Sequence, residues 1–206
     1  VFQQMAHLGV DSLPIISLTL LFAGAVMTLQ ITDVLITYGA QSTVGGLMAV
    51  AMGRELGPIL VGVVLAGRVG AAITAEIGTM KVTEQIDALR VMAVDPVGYL
   101  VVPRVVACMV MVPILAFYGV VIGIAGGYFV ATAIKGLAPS TYLDSIQMFS
   151  TISDFTLGLI KSSVFGAVIA LVGAYKGMET KMGAEAVGFS TTSSVVTSII
   201  LVFVLH

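Results

Sequence analysis

Five long apolar stretches, separated by shorter polar segments, dominate the pattern of hydrophobic and polar positions along the chain. They cover residues 12–38, 44–67, 105–134, 156–175 and 186–206. A bilayer core about 30 Å thick needs about 20 apolar residues in an α-helix, because unpaired backbone groups are too costly in hydrocarbon. The pattern therefore predicts an all-α, polytopic membrane protein with five transmembrane helices, forming a single domain over residues 1–206.

The basic residues between the stretches predict the orientation. Most of them lie in the connection after the second stretch or in the one after the fourth: Arg68, Lys81, Arg90, Arg104, Lys176 and Lys181. Around the other two connections there are only Lys135 and Lys161. Basic loops remain in the cytoplasm, so the chain should start in the cytoplasm and end outside. It begins at Val1 and stops at His206 within an apolar run, and we expect further residues beyond both ends.

Composition removes several classes of function. Of the 206 residues, 58% are hydrophobic and 10% are charged, whereas a soluble domain has about 25% charged residues; this excludes a soluble enzyme. The net charge of −2 provides no basic surface for a nucleic acid. One cysteine and two histidines support neither a disulfide framework nor a metal site. With no P-loop, HExxH or GxSxG motif, we expect no catalytic residue, metal site or cofactor on this chain.

Two adjacent charged residues, Arg54 and Glu55, interrupt the middle of the second stretch. A charge at the centre of a membrane helix costs about 2.5 to 3.5 kcal/mol on insertion scales, so such residues usually face a partner, a cavity or a polar pathway. Pro58 cannot donate the hydrogen bond that the Arg54 carbonyl would accept, so the helix should kink or loosen here. One interpretation is a polar site in a substrate cavity, with Arg54 suited to a phosphate or carboxylate. The alternatives are a buried ion pair that only fixes packing, or a span that ends early.

One face of the first stretch combines apolar side chains with an aromatic residue at its end. Its members follow helical spacing and are Met27, Ile31, Val34, Leu35 and Tyr38. Such a stripe suits an apolar groove for acyl chains, but stripes of this kind more often serve packing or lipid contact. Both interpretations are open at this point.

Glycines at four-residue spacing mark faces where membrane helices can approach closely. Gly119, Gly123 and Gly127 lie along the third stretch, and Gly173 and Gly177 lie near the end of the fourth. We predict a helix contact face at each series.

The connection between the second and third stretches is too polar to cross a membrane and too apolar for an irregular, solvent-exposed loop. Helical spacing predicts two short amphipathic helices, with apolar faces formed by Ile73, Ile77 and Met80 and by Val82, Ile86 and Leu89. Gly78 is expected to interrupt between them. Asp95 followed by Pro96 is typical of a helix start.

Polar side chains of the second predicted helix project away from its apolar face; they are Thr83, Glu84, Asp87 and Arg90. A solvated face explains these carboxylates and Glu76 better than a catalytic cluster does. Two interpretations remain: helices that lie on the membrane surface, or a docking element that inserts into a cytoplasmic motor.

A dense series of short motifs runs in order through the chain. It consists of RELGP at 54–58, AGRVG at 66–70, AEIG at 75–78, TEQ at 83–85, MAVDP at 92–96 and PR at 103–104. Together these motifs resemble the MlaE-type, or YrbE-type, permeases of lipid ABC transporters. The resemblance extends from about Leu21 to the C-terminus.

The resemblance implies a permease subunit that moves phospholipids between the membrane and an MCE-domain protein, which forms a hexameric ring on the outer side. It also implies a homodimer bound to a cytoplasmic ABC ATPase dimer, with ATP held by that partner and no cofactor on this chain. No nucleic acid is expected among the partners. The expected location is a bacterial inner membrane or a plastid inner envelope.

By motif match, the resemblance also implies two sets of functional residues. A lipid pocket at the dimer interface would be lined by the first two spans, through Met27, Val34, Leu35, Tyr38, Arg54, Glu55 and Leu56. An ATPase-coupling region between Ala75 and Arg90 would include Glu76, Thr79, Met80, Thr83, Glu84, Gln85, Asp87 and Arg90. The resemblance assigns no functional residue to the outer loop at 135–155.

Two rival functions come from other classes. One is an ATP-independent channel or ion-coupled carrier, in which Arg54 and Glu55 gate a small solute. The other is a membrane scaffold, which would need no charge in the middle of a span. Copurification with a nucleotide-binding subunit favours the ABC permease, and solute flux through the isolated chain favours the carrier.

Overall fold

The computed structural model describes residues 2–181 and 183–206, and every regular element in this part of the chain is helical. The α-helices are α1 (Phe2–Val10), α2 (Leu13–Thr37), α3 (Val44–Ala51), α4 (Gly57–Leu65), α5 (Ala71–Val82), α6 (Gln85–Val91), α7 (Val102–Phe129), α8 (Pro139–Phe149), α9 (Ile152–Met178) and α10 (Ala184–Leu205).

Five helical stretches are long and apolar enough to cross a membrane: Leu8–Thr37, Gln41–Val82, Val97–Ile134, Ile152–Met178 and Ala184–Leu205. The all-α, five-span prediction is therefore confirmed. The second stretch differs from the prediction, which ended it at residue 67. Its 42 residues would be about 63 Å long at 1.5 Å per residue, so part of it must extend beyond a hydrocarbon layer of about 30 Å.

Single π-helical turns join or extend several of the α-helices. They cover Met52–Leu56, Ala66–Gly70, Val97–Val101 and Val130–Ile134. In the first, the Gly57 N–H donates to the Met52 carbonyl five residues earlier. This turn contains the charged pair and precedes Pro58, which has no N–H to continue the α-helical pattern. The predicted loosening of the helix at this point is confirmed.

Backbone contacts divide the chain into two compact units. The first unit comprises Leu13–Val61 and Pro113–Ser162; the second comprises the residues up to Ser12, Gly62–Val112 and Ser163–His206. Each unit is built from segments that are distant in the sequence, and each contains one of the two predicted functional regions.

In the first unit, small residues bring α2 and α7 into close contact. The buried face of α2 repeats every four residues and consists of Ile16, Leu20, Gly24, Thr28 and Thr32. A Cβ atom at Gly24 would lie 2.0 Å from the Gly123 carbonyl oxygen, and one at Gly127 would lie 2.5 Å from Thr28 Oγ1. The predicted contact face of the third span is confirmed.

The outer loop, to which the resemblance assigns no function, contains helix α8 packed on α3. The Gly46 N–H donates to Ser145 Oγ at 3.0 Å, and a Cβ at Gly45 would lie 2.2 Å from the Tyr142 carbonyl oxygen. The Tyr142 ring is buried with Val44 and Ala131. This burial raises the pKa of Tyr142 to about 12.

In the second unit, α9 packs closely on α5. A Cβ atom at Gly173 would lie 3.2 Å from Ile73 Cγ2, and one at Gly177 would lie 2.8 Å from Ile77 Cβ. The Thr74 hydroxyl also donates to the Gly173 carbonyl at 3.0 Å. These contacts confirm the second predicted glycine face.

The boundary between α5 and α6 lies elsewhere than predicted. The chain stays helical through Gly78, and the break falls at Glu84, which has a left-handed backbone with φ of +60°. The prediction at Gly78 is wrong because this glycine serves close packing: a Cβ there would lie 3.1 Å from Thr180 Oγ1.

Candidate functional site

The charged residues of the first π-helical turn form ion pairs with α9. Arg54 Nε lies 3.7 Å from Asp154 Oδ1, and Glu55 Oε2 lies 2.9 Å from Lys161 Nζ. The Arg54 and Glu55 side chains are 48% and 47% exposed. The pair is therefore connected to a second span and open on one side, rather than enclosed in the core of this chain.

Both ion pairs lie in the first third of α9. Asp154 is the third of its 27 residues and Lys161 the tenth, which places them about 3 and 14 Å along a helix about 40 Å long. Under the predicted orientation this end of α9 faces the outer side of the membrane. With that orientation the charged cluster would lie towards the outer side, whereas the sequence pattern predicts Arg54 and Glu55 in the middle of a span.

Close backbone contact holds the π-helical turn against α9. A Cβ atom at Gly158 would lie 2.1 Å from the Gly53 carbonyl oxygen. Lys161 Nζ also lies 3.5 Å from the Arg54 carbonyl oxygen. Pro58 has no N–H and cannot donate a hydrogen bond to that oxygen. Beside the ion pairs is a small apolar cleft lined by Gly53, Pro58, Ala116, Phe117, Val120, Phe155, Gly158 and Leu159. Charged and apolar surfaces therefore adjoin here.

The predicted apolar stripe of the first span is divided between two surroundings. Val34 is 56% and Tyr38 80% exposed, while Met27 is half-buried. Leu35 instead packs against the cluster around Tyr142. Leu56, from the second span, is half-buried. Val34 and Tyr38 are therefore available to a ligand or partner. Leu35 is instead partly buried inside the first unit.

Two members of the charged cluster, Asp154 and Lys161, are not among the predicted site residues. Lys161 enters the sequence prediction only through the count of basic residues around the connections, and Asp154 lies in the outer loop, to which the resemblance assigns no function. The charge of Lys161 indicates an ionic partner from sequence alone. Lys161 is the only basic residue between 136 and 175, and a single cation in an apolar span needs an anionic partner.

The predicted coupling residues lie in the second unit, mostly on exposed surface. Thr83, Glu84, Gln85 and Arg90 are exposed, while buried Ile86 anchors α6. The Asp87 carboxylate pairs with Arg90 at 3.1 Å and with Lys81 at 3.6 Å. The predicted polar face of α6 is confirmed as a solvent-accessible surface.

Glu76 has a different environment from the α6 residues. Its carboxylate accepts a hydrogen bond from Arg104 at 2.8 Å, and Arg104 also donates to the Leu100 carbonyl at 3.1 Å. An open groove beside this pair is lined by Ala75, Glu76, Thr79, Met80 and Arg104. The Arg104 pair therefore ties the middle of α5 to the start of α7.

The Asp95 carboxylate accepts hydrogen bonds from the N–H groups of Val97 and Gly98 at 3.2 and 2.9 Å. The helix start predicted from Asp95 and Pro96 is confirmed.

The fold is that of a helical membrane protein with five spans, and comparison with known proteins specifies its class. Over residues 1–206 the sequence matches the family described as Permease MlaE, and the chain belongs to that family. The resemblance drawn from the short motifs is thereby confirmed.

Similar proteins occur in bacteria and in chloroplasts. A probable ABC transporter permease protein of Synechocystis sp. is 46% identical over 202 residues, covering 98% of this chain and 77% of that protein. A probable ABC transporter permease protein of Porphyra purpurea is 42% identical over 195 residues, covering 95% and 74%. The protein TRIGALACTOSYLDIACYLGLYCEROL 1, chloroplastic, of Arabidopsis thaliana is 38% identical over 202 residues, covering 98% and 58%. The chain is an integral membrane permease of the ABC transporter class, as expected for a bacterial inner membrane or a plastid inner envelope.

Proposed function

We propose that this chain is the permease subunit of a phospholipid transporter. It works as a homodimer that passes lipid between the membrane and an MCE-domain ring on the outer side. A separate cytoplasmic ATPase dimer binds and hydrolyses the ATP. Membership of the Permease MlaE family supports a role in transport by an ABC transporter. The Arabidopsis relative is named after a glycerolipid, which supports a lipid substrate. The observation that carries the lipid assignment is the half-exposed charged cluster beside apolar surface on membrane helices.

A phospholipid needs a polar contact for its headgroup and a continuous apolar wall for its acyl chains. Arg54 and Lys161 provide cations in the cluster, and a guanidinium can hold a phosphate through two parallel hydrogen bonds. Exposed Val34 and Tyr38, with half-buried Met27, provide apolar surface on the first span.

The open side of the cluster also supports a dimer. Charged side chains facing hydrocarbon are costly, so the exposed parts of Arg54 and Glu55 need cover. A second copy of this chain, with a lipid headgroup between the two, would provide it. Leu35 and Leu56 would then line the pocket only in part, because each is already packed within its own chain.

The exposed face of α6 is the proposed coupling surface. The partner ATPase would bind Thr83, Glu84, Gln85, Asp87 and Arg90 and move α5 and α6 together. That movement would change the distance between the two copies of the first and second spans. The groove between them would close and expel the lipid.

Substituting Arg54 or Glu55 by alanine should reduce the phospholipid recovered with the purified complex about tenfold. Loss of one charge-assisted contact is worth about 1.5 to 3 kcal/mol, and 1.4 kcal/mol corresponds to a factor of ten. The measurement is extraction and quantification of bound lipid. Asp144→Ala, at an exposed carboxylate of α8, is the matched control and should retain lipid. Unchanged lipid in both Arg54→Ala and Glu55→Ala would contradict the pocket assignment.

Substituting Glu84 or Asp87 by alanine should leave lipid binding intact but reduce ATPase stimulation or assembly several-fold. Both carboxylates lie on the solvent-accessible face of α6, where they stabilise little within this chain. The measurement is ATPase activity of the reconstituted complex, together with pull-down of the ATPase subunit. Glu185→Ala, another exposed carboxylate in a predicted cytoplasmic segment, is the control. Unchanged ATPase stimulation and assembly in both variants would contradict the proposal that the ATPase binds this surface.

An ATP-independent channel or ion-coupled carrier remains the second candidate, because the opposed charges of Glu55 and Lys161 also suit a gate for a small solute. Flux assays on proteoliposomes that contain this chain without an ATPase separate the two. Solute flux that is lost in Glu55→Ala would favour the carrier.

A further inference from the structure

A partly open pocket lies where the end of α9 meets the start of α10, and neither the lipid-transfer site nor the coupling surface uses it. Its volume is about 280 Å³, and its lining consists of Lys176, Glu179, Lys181, Ala186, Phe189, Ser190 and Ser193. This is close to the lower limit of about 300 Å³ for small-molecule sites. All of these residues belong to the second unit, and the predicted orientation places the connection at the cytoplasmic surface.

The two lysines of this pocket differ from the other basic residues. Seven of the nine basic residues form ion pairs: Arg54, Arg68, Lys81, Arg90, Arg104, Lys135 and Lys161. Lys176 and Lys181 form none with the residues at 2–181 and 183–206. The one lining carboxylate, Glu179, accepts a hydrogen bond from the Tyr175 hydroxyl at 3.2 Å. Among the lining side chains the two lysines therefore exceed the carboxylates by one positive charge.

The hydroxyl groups in the pocket are also available. On the same helix, Thr191, Thr192 and Thr197 each donate to a carbonyl four residues earlier. Ser190 and Ser193 have no such bond within the described part of α10, so both can donate to a ligand. Phe189, 78% exposed, adds an aromatic ring of the kind that is common at membrane interfaces.

We propose that this pocket binds the headgroup of an anionic phospholipid from the cytoplasmic leaflet. Lys176 and Lys181 contact the phosphodiester, Ser190 and Ser193 donate to its oxygens, and Phe189 lies against the glycerol and upper acyl chain. Basic pockets between membrane helices on the cytoplasmic side bind lipid headgroups in this way.

Charge favours a lipid over a soluble phosphate. A phosphodiester carries one negative charge, which equals this excess of positive charge among the lining side chains. A phosphate monoester carries about 1.5 to 2 negative charges at pH 7 and would be repelled by Glu179. A zwitterionic headgroup brings its own cation and has less to gain from the two lysines.

The chain contains no tryptophan, so Phe189→Trp creates a single fluorescent reporter in the pocket. The full chain is placed in phosphatidylcholine nanodiscs that contain a minor fraction of brominated phosphatidylglycerol, which quenches nearby tryptophan. Phe203→Trp, at an exposed position near the other end of α10, reports on bulk lipid. We expect at least threefold stronger quenching at position 189 than at 203, and equal quenching at both with brominated phosphatidylcholine.

Adding Lys176→Gln and Lys181→Gln to the Phe189→Trp reporter should lower its quenching to the value at position 203, while arginine at both positions should preserve it. Thermal unfolding of each variant checks the fold independently. Millimolar inorganic phosphate or glycerol phosphate should not reverse the quenching; reversal would indicate a soluble-anion site and overturn the lipid assignment. Unchanged quenching in the double glutamine variant, or equal quenching at 189 and 203, would also overturn it.

Discussion

Replacing Gly24 by alanine will lower the free energy of unfolding by about 3 kcal/mol, the upper part of the range for overpacked cores. The added Cβ would lie 2.0 Å from the carbonyl oxygen and 2.9 Å from the Cα of Gly123. Both are backbone atoms, so no rotamer change can relieve the clash and the two helices must separate. Separation removes the close packing that drives helix association in lipid.

The matched control is Gly188→Ala in α10, where a Cβ atom would contact nothing within 4 Å. This variant should be neutral or up to about 1 kcal/mol more stable, because alanine has the higher helix propensity. Stability is measured by denaturant titration of both variants in the same detergent. Equal stability of the two variants would show that the contact between α2 and α7 does not hold the first unit together.

Local patterns predicted the features that depend on local sequence. A run of about 20 apolar residues is sufficient to define a span, and a four-residue glycine repeat is sufficient to define a contact face. The loosening of the helix at Met52–Leu56 is predictable from Pro58, which removes a hydrogen-bond donor at a known position, although its π-helical form is not. The cap formed by Asp95 is equally local, because its acceptors and donors are three residues apart or fewer.

Features that depend on distant segments were not predictable in the same way. The partners of Arg54 and Glu55 are about 100 residues further along, and only the fold brings them together. Glycine often interrupts helices, which favours a break at Gly78, but the packing of Gly78 against Thr180 is a tertiary contact that the local sequence does not show. Leu35 shares the spacing of Val34 and Tyr38, yet it packs against a buried cluster that includes Tyr142 of the outer helix α8. The motifs do not extend to that helix.

Reversing the charge of Glu55 will have the largest effect expected on lipid binding. In Glu55→Lys, two ammonium groups would meet where the structure has a 2.9 Å ion pair, and repulsion would move the π-helical turn away from α9. We expect lipid recovery to fall more than tenfold, and further than in the neutral variant Glu55→Gln, which removes the attraction without adding repulsion. Full lipid recovery in Glu55→Lys would contradict any role for this pair in the pocket.

The double variant Glu55→Lys with Lys161→Glu separates positioning from direct contact. It restores an ion pair between the turn and α9, so thermal stability should return to that of the unchanged chain. If the pair only holds the turn in place, lipid recovery returns as well. If the Lys161 ammonium itself contacts the phosphate, moving that charge to position 55 restores stability but not lipid. Because the Lys161 side chain is 29% exposed while it is paired, we expect this second result: the ammonium can bind Glu55 and a headgroup at the same time.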